Sequence, residues 1–139
     1  MPILPMPPLA ILAAAVTCWL LAALWYTVLF GRAWSGALAR AGRPVERPGS
    51  STLVMQLVLT FVGNLFVATA VAWVLQCFGT TGMPVASRLA MVLGVGIAAS
   101  VLGVAAVWER KPLAVYLIDA GYHILAVLVA ALVLMQWRH

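Results

Sequence analysis

The stretch TLVMQLVLTFVGNLFVATAVAWVLQCF, residues 52–78, contains no formally charged side chain. A helix needs about 20 residues to cross roughly 30 Å of hydrocarbon, so this stretch is long enough to span a bilayer. Backbone groups in lipid must be hydrogen-bonded within the segment or in a closed barrel, and the alternating pattern of barrel strands is missing here. The pattern therefore predicts a transmembrane α-helix.

Three further apolar stretches of the same kind flank it, namely Leu9–Phe30, Leu89–Trp108 and Leu113–Trp137. Only the last contains a formally charged residue, Asp119. The first is too long for the apolar part of a signal peptide and has no Lys or Arg before Arg32, so we interpret it as a retained helix. The chain is expected to form an all-α bundle of four transmembrane helices, with residues 1–139 as a single integral membrane domain.

Composition supports this fold class. Hydrophobic residues make up 65% of the chain and charged residues 8%, whereas a soluble domain is about half apolar and about a quarter charged. The net charge of +5 does not indicate a nucleic-acid partner, because the basic residues lie between apolar stretches and are not gathered on a wetted face. The lipid bilayer is the expected environment, and no nucleic acid is expected to bind.

The distribution of basic residues predicts the orientation. The first and third loops of a four-span chain share a side, and here they hold Arg32, Arg40, Arg43, Arg47, Arg110 and Lys111. The opposite side holds only Arg88 and Arg138. Cytoplasmic loops are enriched in Lys and Arg, so residues 31–51 are expected to form a cytoplasmic loop, with both termini outside.

The first half of that loop predicts a short helix on the inner membrane surface. Trp34 and Leu38 lie four residues apart between Arg32 and Arg40, an amphipathic spacing, and Trp34 is expected at the membrane boundary. A loop held to anionic lipid by its arginines is the favoured interpretation. A dedicated site for a phosphate group or a partner is the alternative.

No motif with a known catalytic mechanism is present. The sequence contains no CxxC pair, HExxH, Walker loop, GxSxG or CxxCH. Cys18 and Cys77 are expected to differ in depth by roughly 15–20 Å at a rise of ~1.5 Å per residue, which is too far for a disulfide. We therefore expect a protein that is not an enzyme and that needs no cofactor.

Two segments resemble a known family. ALWYTVLFGRAW (residues 23–34) and WERKPLAVYLIDAGYHILAV (residues 108–127) are similar to the DUF1761 family of small bacterial membrane proteins. The resemblance implies a four-span fold and a place in the bacterial inner membrane. It implies no activity and no functional residues.

The fourth stretch contains the candidate functional residues. Asp119 and His123 lie four residues apart on one helix face, and Tyr116 precedes Asp119 by three. Counting ~1.5 Å per residue from Leu113 places Asp119 about 9 Å deep and His123 about 15 Å deep. Residues of the other stretches reach similar depths. The predicted intramembrane polar site consists of Asp119, His123, Tyr116, Asn64, Gln56, Trp25 and Tyr26.

Two interpretations of this site remain open. In the structural one, Asp119 and His123 bond each other or Gln56 and Asn64 and so fix the register of the helices. In the functional one, they form a proton relay or a small polar binding site reached from the cytoplasm. Both place the two side chains inside the bundle. A metal site is not expected, because the spans offer no third His, Cys or acid.

The third stretch has the composition of a packing helix. Gly96, Ser100 and Gly103 are small and follow each other at spacings of four and three, which lets a neighbouring backbone approach closely. The neighbour is either another span or a second copy of the chain. Two functions are compatible with these features: a non-enzymatic membrane protein that binds a proton or small solute, or an accessory subunit that docks on a larger membrane complex.

Overall fold

A computed structural model describes residues 5–138. Its α-helices are α1 (Pro8–Leu24), α2 (Gly31–Arg40), α3 (Ser50–Cys77), α4 (Met83–Met91), α5 (Ser100–Trp108) and α6 (Leu113–Met135). Two π-helical segments have wider turns: π1 (Trp25–Leu29) continues α1, and π2 (Val92–Ala99) joins α4 to α5. The four helices that are long and apolar enough to cross a membrane are Pro8–Leu29, Ser50–Cys77, Met83–Trp108 and Leu113–Met135. The prediction of a four-span α-helical bundle is confirmed.

The third span begins at Met83, six residues before the predicted start at Leu89. Pro84 explains the earlier start, because its fixed φ suits the first turn of a helix, where its missing N–H is not needed. Ser87 is accommodated within the helix by donating its hydroxyl proton to the carbonyl of Met83 at 2.9 Å. A count of apolar residues misses this first turn and a half.

Helix α6 is the centre of the bundle. It packs against α1, α2, α3, α4, π2 and α5. In the most apolar 18-residue segment of α6, 44% of the residues are buried, compared with 22–28% in the corresponding segments of the other spans. The contact surfaces consist largely of alanine, with Ala10, Ala14, Ala126 and Ala130 all buried. Such small side chains let helix backbones approach closely, which favours packing in lipid.

The close contact of the third span uses partly different residues from those predicted. A Cβ on Gly94 would lie 3.0 Å from Cα of Ile124, and one on Gly103 would lie 3.3 Å from the hydroxyl of Tyr116. In the described part of the chain, a Cβ on Gly96 would meet no atom within 4 Å apart from its chain neighbours and the nearby backbone of its own helix, and Ser100 is exposed. The predicted contacts of Gly96 and Ser100 with another span are therefore wrong. On π2 it is Gly94 that faces α6. The contact of Gly96 and Ser100 with a second copy stays a prediction.

The two basic loops meet at one end of the bundle, which we call the basic end. Arg43 donates from Nη2 to the carbonyl of Glu109 at 2.7 Å and so joins the first and third loops. Glu109 forms an ion pair with Lys111, at 2.8 Å, and hydrogen bonding to this ammonium lowers the pKa of the Glu109 carboxyl. At the opposite end, Arg138 donates to the carbonyls of Leu75, at 3.3 Å, and Thr80.

Candidate intramembrane polar site

Asp119 receives hydrogen bonds from two other elements. Tyr26 donates its hydroxyl proton to Oδ1 of Asp119 at 2.7 Å, and Trp34 donates its indole N–H to the same oxygen at 3.2 Å. Tyr26 lies on π1 and Trp34 on α2. One carboxyl group therefore connects the first span, the loop helix and the fourth span.

The chain turn before α2 makes this arrangement possible. A Cβ at Gly31 would lie 2.8 Å from the carbonyl oxygen of Tyr26, which is closer than real Cβ contacts allow. Glycine is therefore required where the first span ends and α2 begins. This turn sets the indole of Trp34 edge-on to the ring of Tyr26, with ring centroids 5.7 Å apart.

Trp25 adds a second contact from π1 to the fourth span. Its indole N–H donates to the backbone carbonyl of Ile118 at 3.0 Å. Gly121 provides room for the ring, since a Cβ there would lie 3.2 Å from Cζ2 of Trp25. Consecutive residues Trp25 and Tyr26 thus both bond α6, which the wider π-helical turn permits.

A second polar layer lies closer to the middle of the helices. The hydroxyl of Tyr122 lies 3.0 Å from both the carbonyl of Cys18 and Oδ1 of Asn64. Asn64 in turn donates from Nδ2 to the carbonyl of Thr60 at 2.9 Å. Tyr122 and Asn64 are both buried, and their contacts join the first, second and fourth spans.

His123 differs from Asp119 in having no hydrogen bond to another span among residues 5–138. Its Nδ1 lies 2.8 Å from the backbone carbonyl of Asp119, one turn earlier on the same helix. A carbonyl only accepts, so Nδ1 carries the proton in this contact and Nε2 of a neutral ring keeps a lone pair. The imidazole is thereby oriented, and Nε2 remains available to another molecule.

This ring lines a cavity of about 450 Å³. The cavity lies between α3 and π2, with α1 and α6 forming its other sides, and it is lined by Ala22, Tyr26, Thr60, Gly63, Asn64, Val67, Ala98, Tyr122, His123, Ala126 and Val127. In the part of the chain that the structure describes, α3 packs on the third span mainly through α4, and the cavity occupies the gap beyond that contact. Its volume is in the range of small-molecule sites.

Most of the predicted site residues meet, although not as a single cluster. The expected cross-span bond to Asp119 is present, but His123 contacts only the backbone of Asp119, not its carboxyl group. Gln56 is exposed on α3 and lies outside the cavity, which contradicts its predicted place in the site. Tyr116 donates to the carbonyl of Ala99 at 3.0 Å and joins the third and fourth spans instead.

Three residues of the site were not predicted. The sequence pattern predicts Trp34 only at the membrane boundary, and it does not indicate Tyr122 or Thr60 as site residues. The spacing of Tyr122, one residue before His123, hides its role, because adjacent helical residues point in different directions. No cluster of three His, Cys, Asp or Glu side chains that could hold a metal ion occurs among the described residues.

Comparison with known proteins places the chain in a family. The family model described as a protein of unknown function, DUF1761, matches residues 9–135. No curated protein and no solved structure matches the chain significantly. The match covers the four spans except Pro8, both segments that carried the resemblance, and every residue of the polar site. This chain, a membrane protein with four apolar helices, therefore belongs to the DUF1761 family.

Proposed function

We propose that this protein is a non-enzymatic membrane protein that binds a small solute, or takes up a proton, in the cavity beside His123. One observation carries the proposal: a cavity of about 450 Å³ lies beside polar side chains on three spans. Asn64 is near the middle of α3 and His123 near the middle of α6. Polar groups at this depth are expensive, and in membrane proteins they commonly mark functional sites.

The two halves of the predicted acid–imidazole pair then have different roles. Asp119 accepts bonds from Tyr26 and Trp34, so its carboxyl group organises the bundle. Among residues 5–138, His123 makes no hydrogen bond to another span, and its oriented ring lines the cavity. The structural interpretation fits Asp119, and the binding interpretation fits His123.

The proposal includes a location and an orientation. The four apolar helices support a place in a membrane, which we propose is the bacterial inner membrane. Cytoplasmic exposure of the basic end is supported by the six-to-two distribution of Lys and Arg. The contact of Arg43 with Glu109 supports grouping both basic loops on one side. Both termini then lie outside.

A second candidate function is that of an accessory subunit, as a homodimer or in a larger membrane complex. Residues 50–60, the first part of α3, are all exposed. They include large apolar side chains such as Leu53, Met55 and Leu59. Lipid or another protein covers this surface, and docking would depend on it, whereas solute binding would not.

The test uses two matched glycine substitutions. Gly63 lines the cavity and Gly96 does not, yet neither has an atom within 4 Å of a Cβ position. Gly63→Leu should therefore obstruct the cavity without a clash, and Gly96→Leu serves as its control. We expect mass spectrometry of purified protein to find a small molecule with the wild type and with Gly96→Leu, but not with Gly63→Leu.

Uptake of a proton is tested separately in proteoliposomes containing a pH-sensitive dye. A flux that is present in the wild type and absent in His123→Gln supports proton binding, because the amide cannot titrate. If no small molecule is retained by any of the three proteins and no flux depends on His123, the proposed function is wrong. The protein would then be a docking or purely structural component.

A further inference from the structure

The polar side chains of the cavity offer mainly hydrogen-bond acceptors. Five polar side chains line it: Tyr26, Thr60, Asn64, Tyr122 and His123. Each could in principle donate or accept a hydrogen bond. Their existing bonds within the protein determine which of the two they offer to a bound molecule.

The three hydroxyl groups already donate their protons to acceptors within the protein. Tyr26 donates to Oδ1 of Asp119 at 2.7 Å, and Thr60 donates to the carbonyl of Gln56 at 2.6 Å. The single proton of Tyr122 is directed to acceptors on Cys18 and Asn64. A hydroxyl has one proton and two lone pairs, so each of these oxygens retains only accepting capacity.

The two nitrogen-containing side chains add one acceptor and one donor. His123 uses its Nδ1 proton on the carbonyl of Asp119, which leaves the lone pair of Nε2. Asn64 uses one N–H on the carbonyl of Thr60 and keeps one. Four of the five lining side chains therefore offer only an acceptor, and Asn64 keeps a donor N–H beside its carbonyl oxygen.

The remaining lining is apolar and is reached from the membrane interior. Ala22, Gly63, Val67 and Ala98 contribute no polar side chain. Thr60 and Gly63 are exposed on α3, so the cavity opens along that helix, near its midpoint. In a spanning helix this position faces hydrocarbon, so an entering molecule must itself be soluble in lipid.

We infer that the ligand of this cavity is a lipophilic molecule with a hydrogen-bond-donating head group, an amine or a hydroxyl. This inference rests on the proposed function and names its substrate class. The donor protons of the head group meet the lone pairs of Tyr26, Thr60 and His123, and the apolar body occupies the alanine- and valine-lined part. A carboxylate or ether head would leave Nε2 of His123 without a proton and would place further lone pairs against those of Tyr26 and Thr60, and burying unpaired acceptors is costly.

The experiment compares probes that differ only in the head group. Phenylpentanol, its methyl ether, phenylpentylamine and phenylpentanoate are titrated into the protein in lipid nanodiscs, and binding is measured by calorimetry. We expect the alcohol, the amine or both to bind at least about fivefold more tightly than the ether and the carboxylate, since one net hydrogen bond is worth roughly that factor. The alcohol and amine arms distinguish the two head groups.

Variants locate the binding. Thr60→Val removes a lining acceptor while keeping the shape of the side chain, and Thr69→Val is its control, because Thr69 makes the same type of bond on α3, to Leu65, outside the cavity. We expect Thr60→Val to weaken binding of the donor probe about threefold to tenfold and Thr69→Val to leave it unchanged. His123→Phe should weaken it similarly, and nitrogen NMR of the wild type should show a shift of Nε2.

Two results would overturn the inference: the ether or carboxylate binding as tightly as the donor probes, or Thr60→Val and His123→Phe both binding them like the wild type. A molecule that co-purifies with the wild type and not with Gly63→Leu would still preserve the proposed function in that case. If, in addition, no molecule co-purifies with the wild type, the cavity is not a binding site.

Discussion

The indole nitrogen of Trp34 lies 3.2 Å from Oδ1 of Asp119, although 85 residues separate the two in the sequence. Trp34 belongs to the loop helix α2, and Asp119 to the central helix α6. This hydrogen bond connects α2 directly to the transmembrane bundle. The first loop is therefore part of the polar site.

Replacing Trp34 by Phe should destabilise the protein by about 0.5–2 kcal/mol, because the ring is kept while one hydrogen bond to the carboxyl group is lost. Thermal unfolding in detergent measures the effect. Trp73→Phe is the control, since Trp73 is 65% exposed and outside the site. Equal melting temperatures for Trp34→Phe and the wild type would show that the indole bond does not hold α2.

Asp119→Asn should change stability by less than about 1 kcal/mol, because the amide oxygen can still accept from Tyr26 and Trp34. Asp119→Leu should cost roughly 1–4 kcal/mol, since both donors then lose their partner. Unfolding of the two variants in the same detergent decides the matter. An Asn variant as unstable as the Leu variant would indicate that the negative charge, and not the hydrogen bonds, is required.

Tyr26→Phe and Trp34→Phe should not be additive. Both side chains donate to the same oxygen, and residues that share a partner show interaction energies of about 0.5–3 kcal/mol in double-mutant cycles. The cycle requires the unfolding free energies of the two single variants and the double variant. A sum equal to the double variant would mean that the two bonds stabilise the bundle independently.

Gly94→Leu should be much more destabilising than Gly96→Leu. The first places a side chain against Cα of Ile124, 3.0 Å from the Cβ position, and overpacking of this kind costs roughly 1–3 kcal/mol or more. The second meets open space within the chain. If Gly96→Leu is the more damaging of the two, a second copy packs on that face, and the oligomeric state measured by light scattering should change.

Gly49→Cys, in a variant lacking Cys18 and Cys77, should resist an impermeant thiol reagent in intact cells and react after lysis. The six-to-two distribution of basic residues motivates this expectation. Gly49 is exposed at the start of α3, so access of the reagent is not limited by packing. Labelling before lysis would reverse the proposed orientation.

The sequence predicted the spans well because charge-free stretches of about 20 residues have few alternatives in a lipid environment. It placed Asp119 correctly near Tyr26, since depth along each helix follows from counting residues. It could not identify Trp34, because that contact depends on the close turn at Gly31. It could not exclude Gln56, because the depth of a residue does not specify which way its helix face points. The sequence also predicted a close contact at Gly96, whereas the structure has it at Gly94. The cause is similar, because the wider turns of π2 rotate the residues away from the faces they would have on a regular α-helix.

The length of α3 makes the cavity sensitive to the membrane itself. Its 28 residues measure about 42 Å at ~1.5 Å per residue, about 12 Å more than a hydrocarbon layer of roughly 30 Å. Such a mismatch is accommodated by tilting, and the tilt increases as the bilayer becomes thinner. Because α3 contacts the third span mainly at α4, a change in its tilt relative to that span would change the width of the gap beyond this contact. Acyl-chain length should thereby regulate access to His123, so lipid composition would act as a control on this protein.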